Sequence, residues 1–217
     1  MSDSFISHFE KTSDILTDVR KILHEVDSLI NKSLFNEAID VLQRGLILAP
    51  RNIQIWEQIA QCSLELKRPK SAIDALDNLL RINPKSRHAW TQKAYLHLLL
   101  NENLEGIFAL RESLQLDPRN SQLWQLLGSA LMANEQWEEA AESLEKSILL
   151  DPNSTFSWYN YGICQFFLEN YFISLRAIKQ AYSIDPLLEY VVDDWTEILI
   201  EEIQENEEDY IINIAAS

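Results

Sequence analysis

The chain has 217 residues, 47% of them hydrophobic, with only four glycines, six prolines and a formal net charge of −16. That charge argues against nucleic-acid binding, which rests on neutralising phosphates with Lys and Arg. No stretch approaches the roughly 18 consecutive apolar residues that a membrane span requires, so membrane insertion is not expected. The start, MSDSFISHFEK, has neither a basic lead nor an apolar core, so no signal peptide is read and a cytoplasmic location is expected.

From Ser4 to about Lys32 the sequence predicts one long helix or two abutting ones, with Leu16, Val19, Leu23, Val26 and Ile30 at helical spacing. Thr12, Ser13 and Asp14 offer a cap for a second start. Beyond this point Pro50, Pro84, Pro118, Pro152 and Pro186 stand 34 residues apart, and six residues after the first four come Trp56, Trp90, Trp124 and Trp158. A sustained period of this length with two anchors belongs to a two-helix repeat, each unit burying its apolar face only by stacking on the next. The register divides the chain into an N-terminal helical extension (1–18) and five repeats (19–52, 53–86, 87–120, 121–154 and 155–188). The first repeat is degenerate: Ile22 takes the tryptophan place and Val26 the small-residue place.

Within each later repeat the first helix, A, carries a small residue ten past the proline: Ala60, Ala94, Gly128 and Gly162. Such a residue lets a neighbouring helix approach closely, and the tryptophan is expected to fill the adjoining space as a buried side chain. On that expectation Trp124→Ala costs roughly 3–5 kcal/mol. The second helix, B, opens near Phe35, Trp137 or Tyr171 and meets helix A through Ala38, Ala72, Gly106, Ala140 and Ser174. Four residues later Leu42, Leu76, Leu110, Leu144 and Ile178 form its core stripe. Each B helix ends at the proline, which disfavours helix in the residue before it and removes a backbone donor. Cys62 and Cys164 lie three repeat lengths apart at one register position, where repeat 4 has Ala130, so both read as small core residues and not as a redox pair.

After Pro186 the register predicts a capping helix over 189–205, with Leu188, Val191, Val192, Trp195, Ile198 and Leu199 as its apolar stripe against an acidic face. Residues 189 to 210 hold ten acidic side chains and no basic one, so the body of the chain is only mildly acidic. The tail, 206–217, adds Tyr210, Ile211, Ile212 and Ile214 to these acids. Two readings stand: it docks on a partner or on the array at the basic turns from Lys67 to Arg87, or it is a frayed end, with self-association through it as a further expectation.

The register residues carry a resemblance. Segments such as WQLLGSALMANEQWEEAAESLEKSILLDP, repeated over about 19 to 188, resemble the tetratricopeptide repeat (TPR) family. The resemblance implies an all-α fold: a right-handed α-solenoid of antiparallel helix pairs, the TPR superhelix, whose A helices line a concave groove. Residues four, seven and eleven past each proline share the face of helix A turned away from the tryptophan, and the residue eight past flanks them. The partner-binding candidates are therefore Gln54, Glu57, Gln58 and Gln61; His88, Thr91, Gln92 and Tyr95; Gln122, Gln125 and Ser129; and Phe156, Tyr159 and Asn160, with Ile163 beside them. Amides offer both donor and acceptor to an extended peptide backbone while aromatics bury its side chains. The places where some TPR proteins hold a cationic clamp for chaperone tails carry Glu57, Gln61, His88, Gln92 and Gln122, from which no such clamp can be built.

Catalytic machinery is not expected. Four glycines form no phosphate-cradling loop, and His8, His24, His88 and His97 show no ligand spacing, so neither a metal nor a cofactor is assigned. Glu138, Glu139, Glu142 and Glu145 read as a solvated helix face. The expected function is that of a non-catalytic scaffold or adaptor holding a protein or peptide partner. A bacterial secretion chaperone, a complex-assembly factor and a regulatory subunit of an enzyme are the alternatives.

Overall fold

The computed structural model describes residues 2–188, 197–200 and 204, and of residues 2–15 it describes the backbone. Ten α-helices alternate along it. The A helices are α1 (Ser2–Asn31), α3 (Ile53–Glu65), α5 (Arg87–Leu99), α7 (Ser121–Met132) and α9 (Thr155–Phe167). The B helices are α2 (Phe35–Leu48), α4 (Pro69–Ile82), α6 (Asn103–Leu116), α8 (Trp137–Leu150) and α10 (Tyr171–Ile184). No strand occurs among the described residues. α1 is one continuous helix through Thr12, so the capping residues there start nothing new.

The helices fall into two compact units, Met1–Leu96 and His97–Ser217. In the first, α1 packs on α2, α2 on α3 and α3 on α4; in the second, each helix from α6 to α10 packs on its successor. The small register residues sit at the tightest of these contacts. A Cβ placed on Gly128 would lie 2.6 Å from Leu144 Cγ, and one on Gly162 would lie 2.6 Å from Ile178 Cγ1. Glycine is what lets α7 rest on α8 and α9 on α10, so that Leu144 and Ile178 are fully enclosed. In the last repeat Ser174 Oγ adds a buried bond to the Gly162 carbonyl at 2.7 Å.

The tryptophans correct an expectation. All four are half-buried and not enclosed. The enclosed residue of each A helix is the one before: Ile55, Ala89, Leu123 and Ser157. The reason lies in the indole N–H, which needs an acceptor. It finds one in the carbonyl of the proline six residues earlier, at 3.1 Å for Trp56 and 2.9 Å for Trp90, Trp124 and Trp158. The indole thereby pins the B-to-A turn to the helix that follows, keeping one face at the surface. Lys146 lies over the Trp124 ring and Lys93 over that of Trp90, at 4.5 and 5.4 Å from the centroids.

Two kinds of turn recur with the period. At the B-to-A turn the residue two past the proline caps helix A: Asn52, Ser86, Asn120 and Ser154 accept from the backbone N–H three residues on, at 3.1 to 3.3 Å. After Pro186 that place holds Leu188, which has no acceptor to offer, and the chain makes a short 3-10 turn, Pro186–Leu188. At the A-to-B turn Ser33, Lys67, Asn101, Glu135 and Glu169 all have φ between 56° and 61°. Each closes the same pair of backbone bonds, seen at Glu135 N to Met132 O (2.9 Å) and Gln136 N to Leu131 O (3.0 Å). This is a helix-ending motif that glycine usually serves, here built without any glycine. Pro69 and Asn103, which replace the opening aromatic in the second and third repeats, leave the turn unchanged.

Residues 197–200 are helical, and Leu199 is fully buried against Ile178 with Phe166, Tyr171, Leu175 and Tyr182 around it. The remainder of the expected capping helix, residues 189–196, 201–203 and 205, and the tail 206–217 lie outside the described residues.

Each turn residue in the left-handed region carries a steric cost of about 1–2 kcal/mol. Glu135→Gly is therefore expected to raise stability by about 1 kcal/mol and the melting temperature by a few degrees, the larger unfolded-state entropy of glycine taking back part of the gain. Gly128→Ala is expected to lower stability by about 1–3 kcal/mol, because Leu144 must leave its rotamer to admit the methyl. Thermal melts followed by circular dichroism check both signs.

Candidate partner-binding face

The candidate residues occupy the A helices, where spacing of three, four and seven keeps side chains on one face. In the unit Met1–Leu96, Gln54, Glu57, Gln61, His88 and Tyr95 are exposed, while Gln58, Thr91 and Gln92 are half-buried. Gln61 Nε2 donates along its own helix to Glu65 at 3.0 Å. In the unit His97–Ser217, Gln122 and Phe156 are exposed, Gln125, Ser129, Tyr159 and Ile163 are half-buried, and Asn160 is buried.

Asn160 and its register partner Gln58, the flanking candidates, are engaged with the preceding repeat. Gln58 Nε2 donates to Asp27 Oδ1 on α1 at 3.2 Å, and Asn160 Nδ2 reaches Ser129 Oγ on α7 at 3.5 Å. In both units the residue eight past the proline bonds back to the residue 31 positions earlier, on the A helix of the preceding repeat. Gln125 is also engaged: its Oε1 accepts from Ser154 Oγ at 3.1 Å and from Ser157 Oγ at 3.4 Å. Ser157 Oγ is in turn 2.9 Å from Ser147 Oγ, which bonds the Ser121 carbonyl at 2.9 Å. These side chains hold successive A helices in register, because a polar group at a helix seam must find a partner once water leaves. The amides Gln58 and Asn160 eight past the proline were the available signal for these two bonds.

What remains free to meet a partner changes along the chain. α3 presents Gln54, Glu57, Gln61 and Glu65. α9 presents Phe156, Tyr159, Ile163 and Phe167 at the same four register places, with Phe156 51% and Phe167 49% exposed. The period alone does not reach Phe167. It closes the stripe by stacking on Trp137, with centroids 4.1 Å apart and planes 11° apart. In the unit His97–Ser217 none of the candidates is charged, so the face there suits neutral and apolar groups more than a highly charged ligand.

The cysteines lie off this face. Both are free and buried. Burial raises the Cys62 thiol above its ordinary value, and it pushes Cys164 up to about 12. Among the described residues no group of three or more His, Cys, Asp and Glu is placed to hold a metal ion, and no helix is long and apolar enough to cross a membrane.

Family models for the tetratricopeptide repeat match residues 33–95, 88–120 and 121–154. The chain belongs to the tetratricopeptide repeat family. Its fold class is accordingly the all-α TPR solenoid, and the solved structures it resembles agree. A crystal structure of MamA protein is 17% identical with a TM-score of 0.69, covering 79% of this chain and 94% of that one. A MamA fragment from Desulfovibrio magneticus RS-1 is 16% identical with a TM-score of 0.65, covering 77% and 95%. YrrB, described as a TPR protein with an unusual peptide-binding site, is 16% identical with a TM-score of 0.67, covering 76% and 85%. Comparison with curated protein sequences finds no match. At such identities the likeness speaks for the TPR fold alone.

The buried thiol yields a pH-dependent expectation. Its folded pKa, about 12, exceeds the ordinary 9.0, so protonation favours the fold fully below pH 9. That contribution is lost as pH rises toward 12, since only the unfolded chain ionises easily there. Cys164 is thus expected to resist an aromatic disulfide reagent at pH 8 until the chain is unfolded; titration with and without denaturant on the Cys62→Ala variant measures it.

Proposed function

We propose that this TPR chain is a non-catalytic scaffold that holds a protein or peptide partner along the outward face of α7 and α9. The observation that carries this reading is the α9 stripe of Phe156, Tyr159, Ile163 and Phe167. Four apolar side chains aligned along one helix leave water with a row of poorly hydrated surface, and an interface core with a polar rim is the arrangement that relieves it. Gln122 on α7 supplies an exposed amide able to bond a partner backbone. The description of YrrB as a TPR protein with a peptide-binding site is in keeping with a peptide occupant.

In this reading α9 supplies the anchoring pockets, where aromatic residues contribute most of the binding energy. A partner segment with two or three large apolar side chains is the best match, because such side chains bury the stripe.

The test uses the full-length chain as bait, with partners identified by mass spectrometry and then measured as purified proteins. The triple variant Gln122→Ala, Phe156→Ala, Tyr159→Ala is expected to lose about tenfold or more in affinity, as hot-spot truncations do. Its helical circular dichroism should match the parent. A folded variant that keeps the same partners at the same affinity overturns the assignment to this face.

A further inference from the structure

A second docking place emerges when two cavities are compared in register. In the unit His97–Ser217 a cavity of about 340 Å³ lies between α6, α7 and α8. Leu127 and Leu131 of α7 form its floor, Glu139, Glu142 and Lys146 of α8 one rim, and Arg111 and Leu114 of α6 the opposite wall. Arg111 reaches across to pair with Glu139. α6 is the B helix of the preceding repeat, so this is the ordinary seat of one repeat on the next.

Three repeat lengths earlier, in the unit Met1–Leu96, the same places hold Glu25 and Leu29 on α1 and Glu37, Asp40 and Arg44 on α2. These residues line an open cleft of about 580 Å³. No helix closes it among the described residues. The consequence shows in the floor: Leu131 is 1% exposed beneath α6, whereas its counterpart Leu29 is only half-buried. At the edge of the cleft Ile47 is 82% exposed.

We propose that the cleft on the first repeat receives a basic amphipathic helix of a partner protein, seated as α6 is seated on the fourth repeat. The charges select the occupant. Arg44 and Glu25 approach to 3.6 Å and offset each other. Glu37 and Asp40 remain, and Glu37 meets no cation among the described residues although its counterpart Glu139 has Arg111. A seated helix therefore needs Lys or Arg at the place of Arg111 and an apolar residue three further on, as Leu114 is, to cover Leu29. The chain's own sequence supplies no better occupant. The tail over 206–217 is acidic and is repelled by Glu37 and Asp40. Two copies meeting through this cleft would set acid against acid. α10 carries Lys179 at the place of Arg111, but Tyr182, three further on, already packs against the Leu199 cluster.

The experiment uses the full-length chain and a fluorescein-labelled synthetic peptide, residues 103–116 of α6 with Glu105 and Glu112 replaced by lysine. Fluorescence anisotropy is expected to show saturable binding that weakens as salt rises. Glu37→Lys combined with Asp40→Lys is expected to weaken it about tenfold or more, and Ile47→Ser several-fold, both variants keeping the circular dichroism and melting temperature of the parent. Absence of saturable binding, or equal binding by both folded variants, overturns the proposal. A dimer of the chain alone in sedimentation that Glu37→Lys with Asp40→Lys abolishes also overturns it and gives the cleft to a second copy. The triple variant of the α9 face should bind the peptide as the parent does, so failure here and failure of the scaffold reading are separate results.

Discussion

The contact between the small residue of helix A and the enclosed branched residue of helix B is the constraint from which the rest follows. Where Gly128 meets Leu144 and Gly162 meets Ile178, a single added methyl would fall inside the van der Waals radius of the facing side chain. Interiors are packed to crystal-like density and have no slack to absorb it. In these two repeats the spacing of the helices is thus set by a residue that has no side chain, while Ala60 and Ala94 hold the place in the second and third. A period of 34 residues is the sum of two helices and two turns that satisfy this contact.

The two turns solve the helix-end problem in opposite ways. At the start of helix A an Asn or Ser side chain supplies the missing acceptor, and the tryptophan N–H takes up the proline carbonyl nearby. At its end the backbone itself turns left-handed and closes two bonds without any side chain. The first solution depends on residue type and is visible as a repeated Asn or Ser. The second depends on the path that the chain must take to bring helix B back, so Ser, Lys, Asn and Glu all occupy it despite its steric cost. Packing of Ala140 and Leu144 against helix A outweighs that cost, since each buried branched side chain contributes about 1.5–3 kcal/mol.

Function in a TPR array is a property of what the packing leaves outside. The ladder of Gln58 to Asp27 and Asn160 to Ser129 consumes one row of polar side chains to hold A helices together. The row beside it is left facing water, polar on α3 and aromatic on α9. One backbone geometry therefore carries two surfaces of different chemistry, which is how a repeat fold separates its stability from its binding.

The repeat itself was legible in the chain alone: a proline and a tryptophan in fixed register, small residues at helix contacts and leucines four further on report backbone requirements that are local and identical in each unit. The candidate face was legible to the level of the helix face, because helical spacing decides which residues share a side. What only the tertiary structure decided is which of those residues point outward. Asn160 and Gln125 have the composition of binding residues yet satisfy neighbours one repeat away, and Trp124 has the composition of a core residue yet keeps one face at the surface because its N–H must reach the Pro118 carbonyl. In each case the deciding partner is set by how helices stack, and a polar atom leaving water takes whatever partner that stacking brings within reach.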